Sequence, residues 1–275
     1  MSEPLKLDVE GVVREKTGGK APRLLVWFLK KILHEDIFNK FFREHPDLKD
    51  FEFAREVTYG LLGATVSIEG TENIPKTSDP LFFVSNHPLG GLDGMIIALM
   101  LGEHRNYNVR VIVNEFLMAI KPLQGIFIPV HVGGKQSREQ VEGLNKLYES
   151  NYDIMTFPSG KCSRRIDGKI QDPMWRKSFV QKAVEYKRDV VPIYFEGQNS
   201  KFFYNLAYWR TKLGIKQNIE MLFLADEMFK SYGKHFVVHV GKPIPYTTFD
   251  NSRTAPEWAE YVRKQIYQIK GRTEQ

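Results

Sequence analysis

An alternation beginning at Thr65 constrains the fold more than anything else in this chain. Short apolar runs rich in β-branched and aromatic residues lie at 66–70, 80–86, 109–114, 125–132, 152–158, 190–197, 219–225 and 235–241, and they read as strands. Between them stand stretches of helical period at 93–101, 116–120, 138–150, 173–186 and 205–213, with a last one at 256–270. Strands alternating with helices predict an α/β domain: a mixed, largely parallel central sheet flanked by helices.

What precedes Thr65 has a different grammar. Leu25, Phe28, Leu29, Ile32, Leu33, Ile37, Phe38, Phe41 and Phe42 recur at three- and four-residue steps, with Lys30, Lys31, Glu35, Asp36, Lys40 and Arg43 between them. Pro46 marks the stop, and residues 51–62 supply a second helical segment. This predicts an N-terminal amphipathic two-helix appendage. The polar opening ends in Thr17-Gly18-Gly19-Lys20 and reads as a tail. The expected layout is a flexible tail over 1–20, a helical appendage over 21–63 and a catalytic α/β domain over 64–275.

Composition narrows the partners. At 275 residues with 42% apolar content, a sizeable core is available. A net charge of +6 favours anionic partners without choosing among nucleic acid, lipid and phosphate. No nucleic-acid-binding motif accompanies it, so nucleic acid is not an expected partner. The lone cysteine, Cys162, rules out an intramolecular disulfide and fits a reducing compartment. No basic region followed by an apolar run marks a signal peptide, and no apolar stretch is long enough to span a bilayer. The expected location is cytoplasmic, peripheral and monotopic on the inner face of the cell membrane.

The sharpest local pattern is Ser85-Asn86-His87-Pro88-Leu89-Gly90-Gly91-Leu92-Asp93-Gly94. It joins a strand to a helix, at the sheet edge where α/β proteins bind ligands. A carboxylate can orient one imidazole nitrogen while the other accepts a proton from an alcohol. Backbone N–H groups of the Gly90-Gly91 turn are candidates for stabilising an oxyanion. The competing reading has His87 capping the following helix or satisfying a backbone group, with Asp93 as its N-cap. Other chemistries fit poorly. Gly160-Lys161 lacks the glycine that a phosphate loop needs at position 155, which is Met155. Cys162 has cations nearby in Lys161 and Arg164, but no base is placed beside it. Neither Ser85 nor Ser159 lies in a nucleophile elbow. The remaining histidines show no metal-ligand spacing, so no metal is expected.

Four ordered blocks complete the pattern: Asn86-His87 with Asp93, Phe127-Ile128-Pro129, Phe157-Pro158-Ser159-Gly160, and Val191-Pro192-Ile193. Together with the lead-in at 66–75, they resemble the glycerolipid acyltransferases, the lysophosphatidate acyltransferase superfamily, over residues 66–245. The resemblance implies an O-acyltransferase of membrane lipid biosynthesis. It would move a fatty acyl group from acyl carrier protein or coenzyme A to a hydroxyl of a lysolipid or glycerol-phosphate acceptor, with no other cofactor. It assigns the base to His87 and its orientation to Asp93. It places substrate binding at Asn86, Gly90, Gly91, Phe127, Ile128, Pro129, Ser159, Gly160, Lys161, Arg164 and Arg165.

Three departures bear on the acceptor. Five residues, Pro88 to Leu92, separate His87 from Asp93 where the family usually has four. The third block lacks the usual glutamate and arginine, with Lys161, Arg164 and Arg165 close by instead. The second block lacks its arginine, and Lys135 and Arg138 follow a few residues on. These changes point away from glycerol 3-phosphate more than from acyl transfer. The tract Trp175-Arg176-Lys177-Ser178-Phe179, with residues 194–203, resembles a bacterial hemolysin-related branch that acylates lyso-aminolipids such as ornithine or glycine lipids. A non-catalytic lipid-binding protein of the same fold is the other reading. Trp27, Phe28, Phe38, Phe41 and Phe42 beside Lys30, Lys31 and Lys40 suit a helix lying on a membrane lipid surface, although packing against the core would use them equally well.

Overall fold

The computed structural model describes residues 5–131 and 137–273. The chain opens with α1 (Val9–Thr17), α2 (Arg23–Ile32), α3 (Glu35–Glu44) and α4 (Asp50–Arg55), the last continued by a π-helical turn at Glu56–Leu61. Next come β1 (Thr65–Glu69), β2 (Phe82–Ser85), α5 (Leu92–His104), β3 (Val109–Asn114), β4 (Phe127–Val130), α6 (Arg138–Glu149) and β5 (Asp153–Thr156). A short hairpin of β6 (Arg164–Ile166) and β7 (Lys169–Gln171) precedes α7 (Ser178–Glu185) and β8 (Val190–Glu196). The chain closes with α8 (Lys201–Lys212), α9 (Leu224–Phe229), β9 (His235–Val240) and α10 (Ala255–Thr273).

Among the described residues seven strands form one sheet in the order β1-β9-β8-β2-β5-β3-β4. From β8 to β4 all neighbours are parallel, whereas β9 is antiparallel to β8 and parallel to β1. The mixed, largely parallel α/β sheet is therefore present. β2 lies at its centre, and all four of its residues are buried, as layers on both faces require. On one face Phe82, Val84, Ile154 and Val190 pack with Trp175, Phe179, Trp258, Val262 and Ile266. On the other, α5 is buried continuously from Ile96 to Gly102, which is why its sequence is apolar nearly all round.

Two buried charges brace the strand ends. Asp153 accepts the Leu81 N–H at 2.8 Å and pairs with Arg105 at 2.7 Å, tying the entry of β2 to β5. Arg188 is fully buried and donates to the carbonyls of Tyr148 and Tyr152 at 2.7 and 2.6 Å, satisfying groups in and just beyond the last turn of α6.

The chain divides into two compact units: Met1–Leu48 with Asn199–Tyr232, and Lys49–Gln198 with Gly233–Gln275. The second carries the sheet; the first is helical. These limits differ from the expected ones at 20 and 63. Residues 9–17 form α1 rather than a tail, capped by Asp8, whose Oδ1 accepts the Gly11 N–H at 2.9 Å. The long apolar pattern after Pro22 breaks into α2 and α3 because His34 takes a left-handed conformation, φ +51°. Residues 219–225, expected as a strand, are instead a 3₁₀ turn at Ile219–Phe223 running into α9. A short apolar run fits either form by its period. Here Glu220, fully buried, pairs with Arg210 of α8 at 2.7 Å, and Glu227 accepts both the backbone N–H and the hydroxyl of Ser200 at 2.6 Å. Those carboxylates bind the segment to α8 rather than to a sheet.

Candidate active site

The parallel strand β2 ends at Ser85, and the chain turns through residues 86–91 into α5. Gly90 takes φ +80°, a conformation that a side chain would strain. That turn absorbs the extra residue between His87 and Asp93. The His87 Nδ1–H donates to Asp93 Oδ2 at 3.0 Å. Since a carboxylate can only accept, this assigns Nδ1 as protonated and leaves Nε2 as the basic nitrogen. No described residue hydrogen-bonds to Nε2. The His87 side chain retains 16% exposure while Asp93 has none.

Asp93 stands in the first turn of α5, where N–H groups need acceptors and the helix dipole favours an anion. Its Oδ2 also accepts from Leu89 N–H at 2.9 Å and Gly90 N–H at 3.4 Å, and its Oδ1 from Gly91 and Gly94 N–H at 3.0 and 2.9 Å. Burial pushes the Asp93 carboxyl upward, but His87 and the backbone donors outweigh it and hold it below the usual aspartate range. The Gly90 and Gly91 N–H groups face this carboxylate, so the expectation that they stabilise an oxyanion is corrected: they orient Asp93 instead.

His87 is held on three further sides. Its ring stacks on Phe157, centroids 3.9 Å apart and 24° from parallel. Its backbone N–H donates to both oxygens of Asp172, at 3.1 and 3.2 Å, and its carbonyl accepts from Ser163 N–H at 2.7 Å. Burial disfavours the imidazolium, and Arg164 adds to that. The opposite pull of Asp93, joined by Asp172, is stronger and raises the His87 pKa above its ordinary 6.5.

The other expected residues are dispersed. Asn86 is buried, and its amide forms a two-way pair with the Phe195 backbone, at 3.0 Å as donor and 2.7 Å as acceptor. It pins the loop to β8 rather than facing a ligand. Ser159 is likewise buried, its hydroxyl donating to the Lys161 carbonyl at 2.7 Å, and Gly160 makes the turn at φ +62°. Arg164 comes near His87, its Nη1 reaching the Cys162 carbonyl at 2.8 Å. Lys161 and Arg165 are exposed. Phe127, Ile128 and Pro129 lie on edge strand β4, three strands from β2. At roughly 4.8 Å per strand they stand about 14 Å away. Lys135 lies outside the described residues, and Arg138 opens α6, with Glu142 at 3.2 Å. Cys162 is buried. Among the described residues no group of three or more His, Cys, Asp or Glu side chains is arranged to hold a metal ion.

Sequence reasoning missed Phe157 as the ring against His87, and Asp172, Ser163 and Trp175 altogether as site residues. The only signal available was their place in the segment following β5. A cavity of about 390 Å³ lies over β8 and β9, lined by Tyr194, Glu196, Gln198, His235 and Val237 together with Ile170 and Gly197; His87 is not in its wall. Glu196 of its lining also meets His239, which sits between Glu69 and Glu196 at 3.0 and 3.1 Å.

A His–Asp pair thus stands at the end of the central parallel strand β2. The acyltransferase family profile matches residues 12–274, and the chain belongs to that family. It is 44% identical over 266 residues to a lyso-glycine lipid O-acyltransferase of Phocaeicola vulgatus, covering 96% of this chain and 95% of that protein. A lyso-glycine lipid O-acyltransferase of Bacteroides thetaiotaomicron is 43% identical over 267 residues, covering 96% and 97%. Among solved structures, the 1-acyl-sn-glycerophosphate acyltransferase PlsC of Thermotoga maritima aligns with a TM-score of 0.49 at 19% identity, over 94% of this chain and 88% of that one. The protein is thus an acyltransferase of lipid biosynthesis.

Proposed function

We propose that the protein transfers a fatty acyl group from a thioester of acyl carrier protein or coenzyme A to the hydroxyl of a lyso-glycine lipid, with His87 as general base. The observation that carries this reading is the His87 Nε2, without a described partner, on a ring whose Nδ1 is fixed by a buried carboxylate. The acceptor O–H gives its proton to Nε2 as its oxygen bonds to the thioester carbonyl carbon. The tetrahedral adduct collapses, the C–S bond breaks, and the imidazolium returns the proton to the departing thiolate. Asp93 stabilises the imidazolium between the two transfers. The balance closes with no cofactor beyond the thioester.

The acceptor is argued from the two lyso-glycine lipid relatives, at 44% and 43% identity. The glycine of such a lipid offers a carboxylate, which Arg164 near His87 and the exposed Lys161 and Arg165 of the same segment suit by charge. Lysophosphatidate is the acceptor to set against it.

Attachment to a lipid surface is argued from the helical unit. Among the described residues no helix is long and apolar enough to cross a membrane. Yet Leu24, Trp27, Trp209 and Leu213 are 74%, 57%, 54% and 72% exposed. Phe28 and Phe202 both pack on Phe223, with centroids 6.2 and 5.0 Å apart, so α2 and α8 share this aromatic surface. Exposed Arg23, Lys31, Lys212 and Lys216 stand on the same unit. Aromatic side chains beside lysines suit the interface of an anionic bilayer.

The test is thiol release and mass-spectrometric product detection, with purified protein, an acyl thioester and either lyso-glycine lipid or lysophosphatidate. Ester formation on the glycine lipid, abolished by His87→Ala, supports the reading. Acylation of lysophosphatidate alone removes the acceptor assignment, and full turnover by His87→Ala removes the mechanism.

A further inference from the structure

Asp172 is 2% exposed and belongs neither to the His–Asp dyad nor to the substrate-facing positions. It lies just beyond β7, and its carboxylate gathers donors from three places. The His87 N–H reaches both oxygens, the Ser163 hydroxyl donates to Oδ1 at 2.6 Å, and the Trp175 indole Nε1–H donates to Oδ2 at 3.0 Å. Its own N–H donates to the Tyr267 hydroxyl on α10 at 2.8 Å. Ser163 closes a ring, since its N–H donates to the His87 carbonyl. Both backbone polar groups of His87 are therefore held by the segment leading through the β6–β7 hairpin.

All of these contacts on the carboxylate are donors, as an ionised acid requires. A neutral side chain would hold the same groups without the cost of desolvating a charge. A buried charge in contact with the backbone of the proposed base therefore calls for a role that depends on being charged. We propose that Asp172 is a positioning residue for acyl transfer: it locks the backbone of His87 so that Nε2 meets the acceptor hydroxyl, and its negative charge stabilises the protonated imidazole formed during the reaction. This rests on the reading of His87 as the base.

The charged and titratable groups around the pair are few. His87 faces Asp93 from α5, Asp172, and Arg164 from β6. Asp172 faces His87, Tyr267 and, at longer range, Arg263 of α10, whose guanidinium lies over the Tyr267 ring at 5.6 Å. Arg164 opposes the protonated imidazole, and the two aspartates favour it. Burial is the largest influence on the Asp172 carboxyl and holds its pKa above the ordinary aspartate value, while its hydrogen bonds and His87 pull the other way without reversing it.

Asp172→Asn is the sharpest variant. One of its two amide atoms still accepts, and the Ser163 hydroxyl can rotate to meet the other, so the loop contacts are largely conserved while the charge is gone. Two readouts separate the proposal from a purely structural role. In steady-state kinetics of the full chain, kcat falls about ten- to a hundredfold with KM within about twofold. By NMR of the imidazole nitrogens, His87 titrates at a lower pH than in the wild type, and the acidic limb of the kcat/KM profile moves the same way. The NMR titration needs no turnover, so it stands even if His87→Ala were to leave activity intact and the base assignment fell. Should Asp172→Asn fail to fold, Ser163→Ala, which removes a single donor, is expected to lower kcat a few-fold with no loss of thermal stability to match. An Asp172→Asn protein that folds with unchanged His87 titration, or a Ser163→Ala protein with wild-type kcat, overturns the proposal.

Discussion

In the loop between β2 and α5, the Asp93 oxygens accept every N–H that points at them, the Asn86 amide is matched atom for atom, and a single imidazole nitrogen is left without a described partner. On the helical unit the situation is reversed. Trp27, Leu24, Trp209 and Leu213 keep more than half of their surface exposed. Both regions hold groups in an unfavourable setting, but of opposite kinds. The loop pre-organises polar groups so that one basic atom meets its substrate without reorganisation. The helices expose apolar area that is stabilised only when something apolar covers it. Under the proposed function, chemistry is built into the first region and location into the second.

The comparison breaks if damage to one region behaves like damage to the other. The largest effect is expected from His87→Ala, which removes the base and should lower kcat by about a thousandfold, within the ~10²–10⁴ range for general-base catalysis. The fold should persist and vesicle binding should be unchanged. Asp93→Asn is expected next, at about a hundredfold in kcat, with a lower melting temperature because one amide nitrogen would face backbone donors. Normal activity in that variant would mean that the buried carboxylate is only a helix cap.

A pH experiment sharpens the same point. With His87 as the proposed base, the neutral imidazole is the form that accepts the proton; its pKa is raised above 6.5, so kcat/KM should climb with pH through a midpoint above that value. Stability should run the other way. The raised His87 pKa contributes stabilisation that is fully present below its unfolded value and fades as pH rises through the folded one. The lowered Asp93 pKa contributes stabilisation present above 3.8 and lost as pH falls through its folded value. Urea unfolding across pH 5 to 9 should therefore show the dyad weakening as activity grows. Parallel curves would contradict the ion-pair account.

Smaller effects are expected at the surface. Trp27→Ser combined with Trp209→Ser should weaken binding to anionic vesicles by about tenfold and leave turnover of a dispersed short-chain acceptor unchanged. Lys161→Ala with Arg165→Ala should raise the acceptor KM about three- to tenfold at constant kcat, the pattern of lost uniform binding. A fall in kcat there would draw those exposed cations into the chemistry.

Much of the fold was legible because it rests on local periodicity. The strand pattern identified the sheet residues, and the Gly-rich link after Phe82-Phe83-Val84 identified His87 and Asp93 as neighbours, since six residues of chain with a flexible turn keep them within reach. Legibility failed wherever the deciding partner was remote in sequence. The run at 219–225 matched a strand by period, yet Arg210 and Ser200 hold its neighbourhood in helical form. Phe127-Ile128-Pro129 belongs to one of the family-like blocks, but strand order sets it on the far edge of the sheet.

From the sequence alone came the α/β class, the family, and the pairing of one histidine with one aspartate, because each is written in short-range spacing. Tertiary structure decided the strand order, the division into two units, the roles of Asn86 and of the glycine N–H groups, and the presence of Asp172 beside the base. Asp172 lies 85 residues from His87. No local rule brings such a pair together; the parallel crossover from β2 to β5 and the β6–β7 hairpin do, and only in the folded chain is that carboxylate dry enough to influence the imidazole.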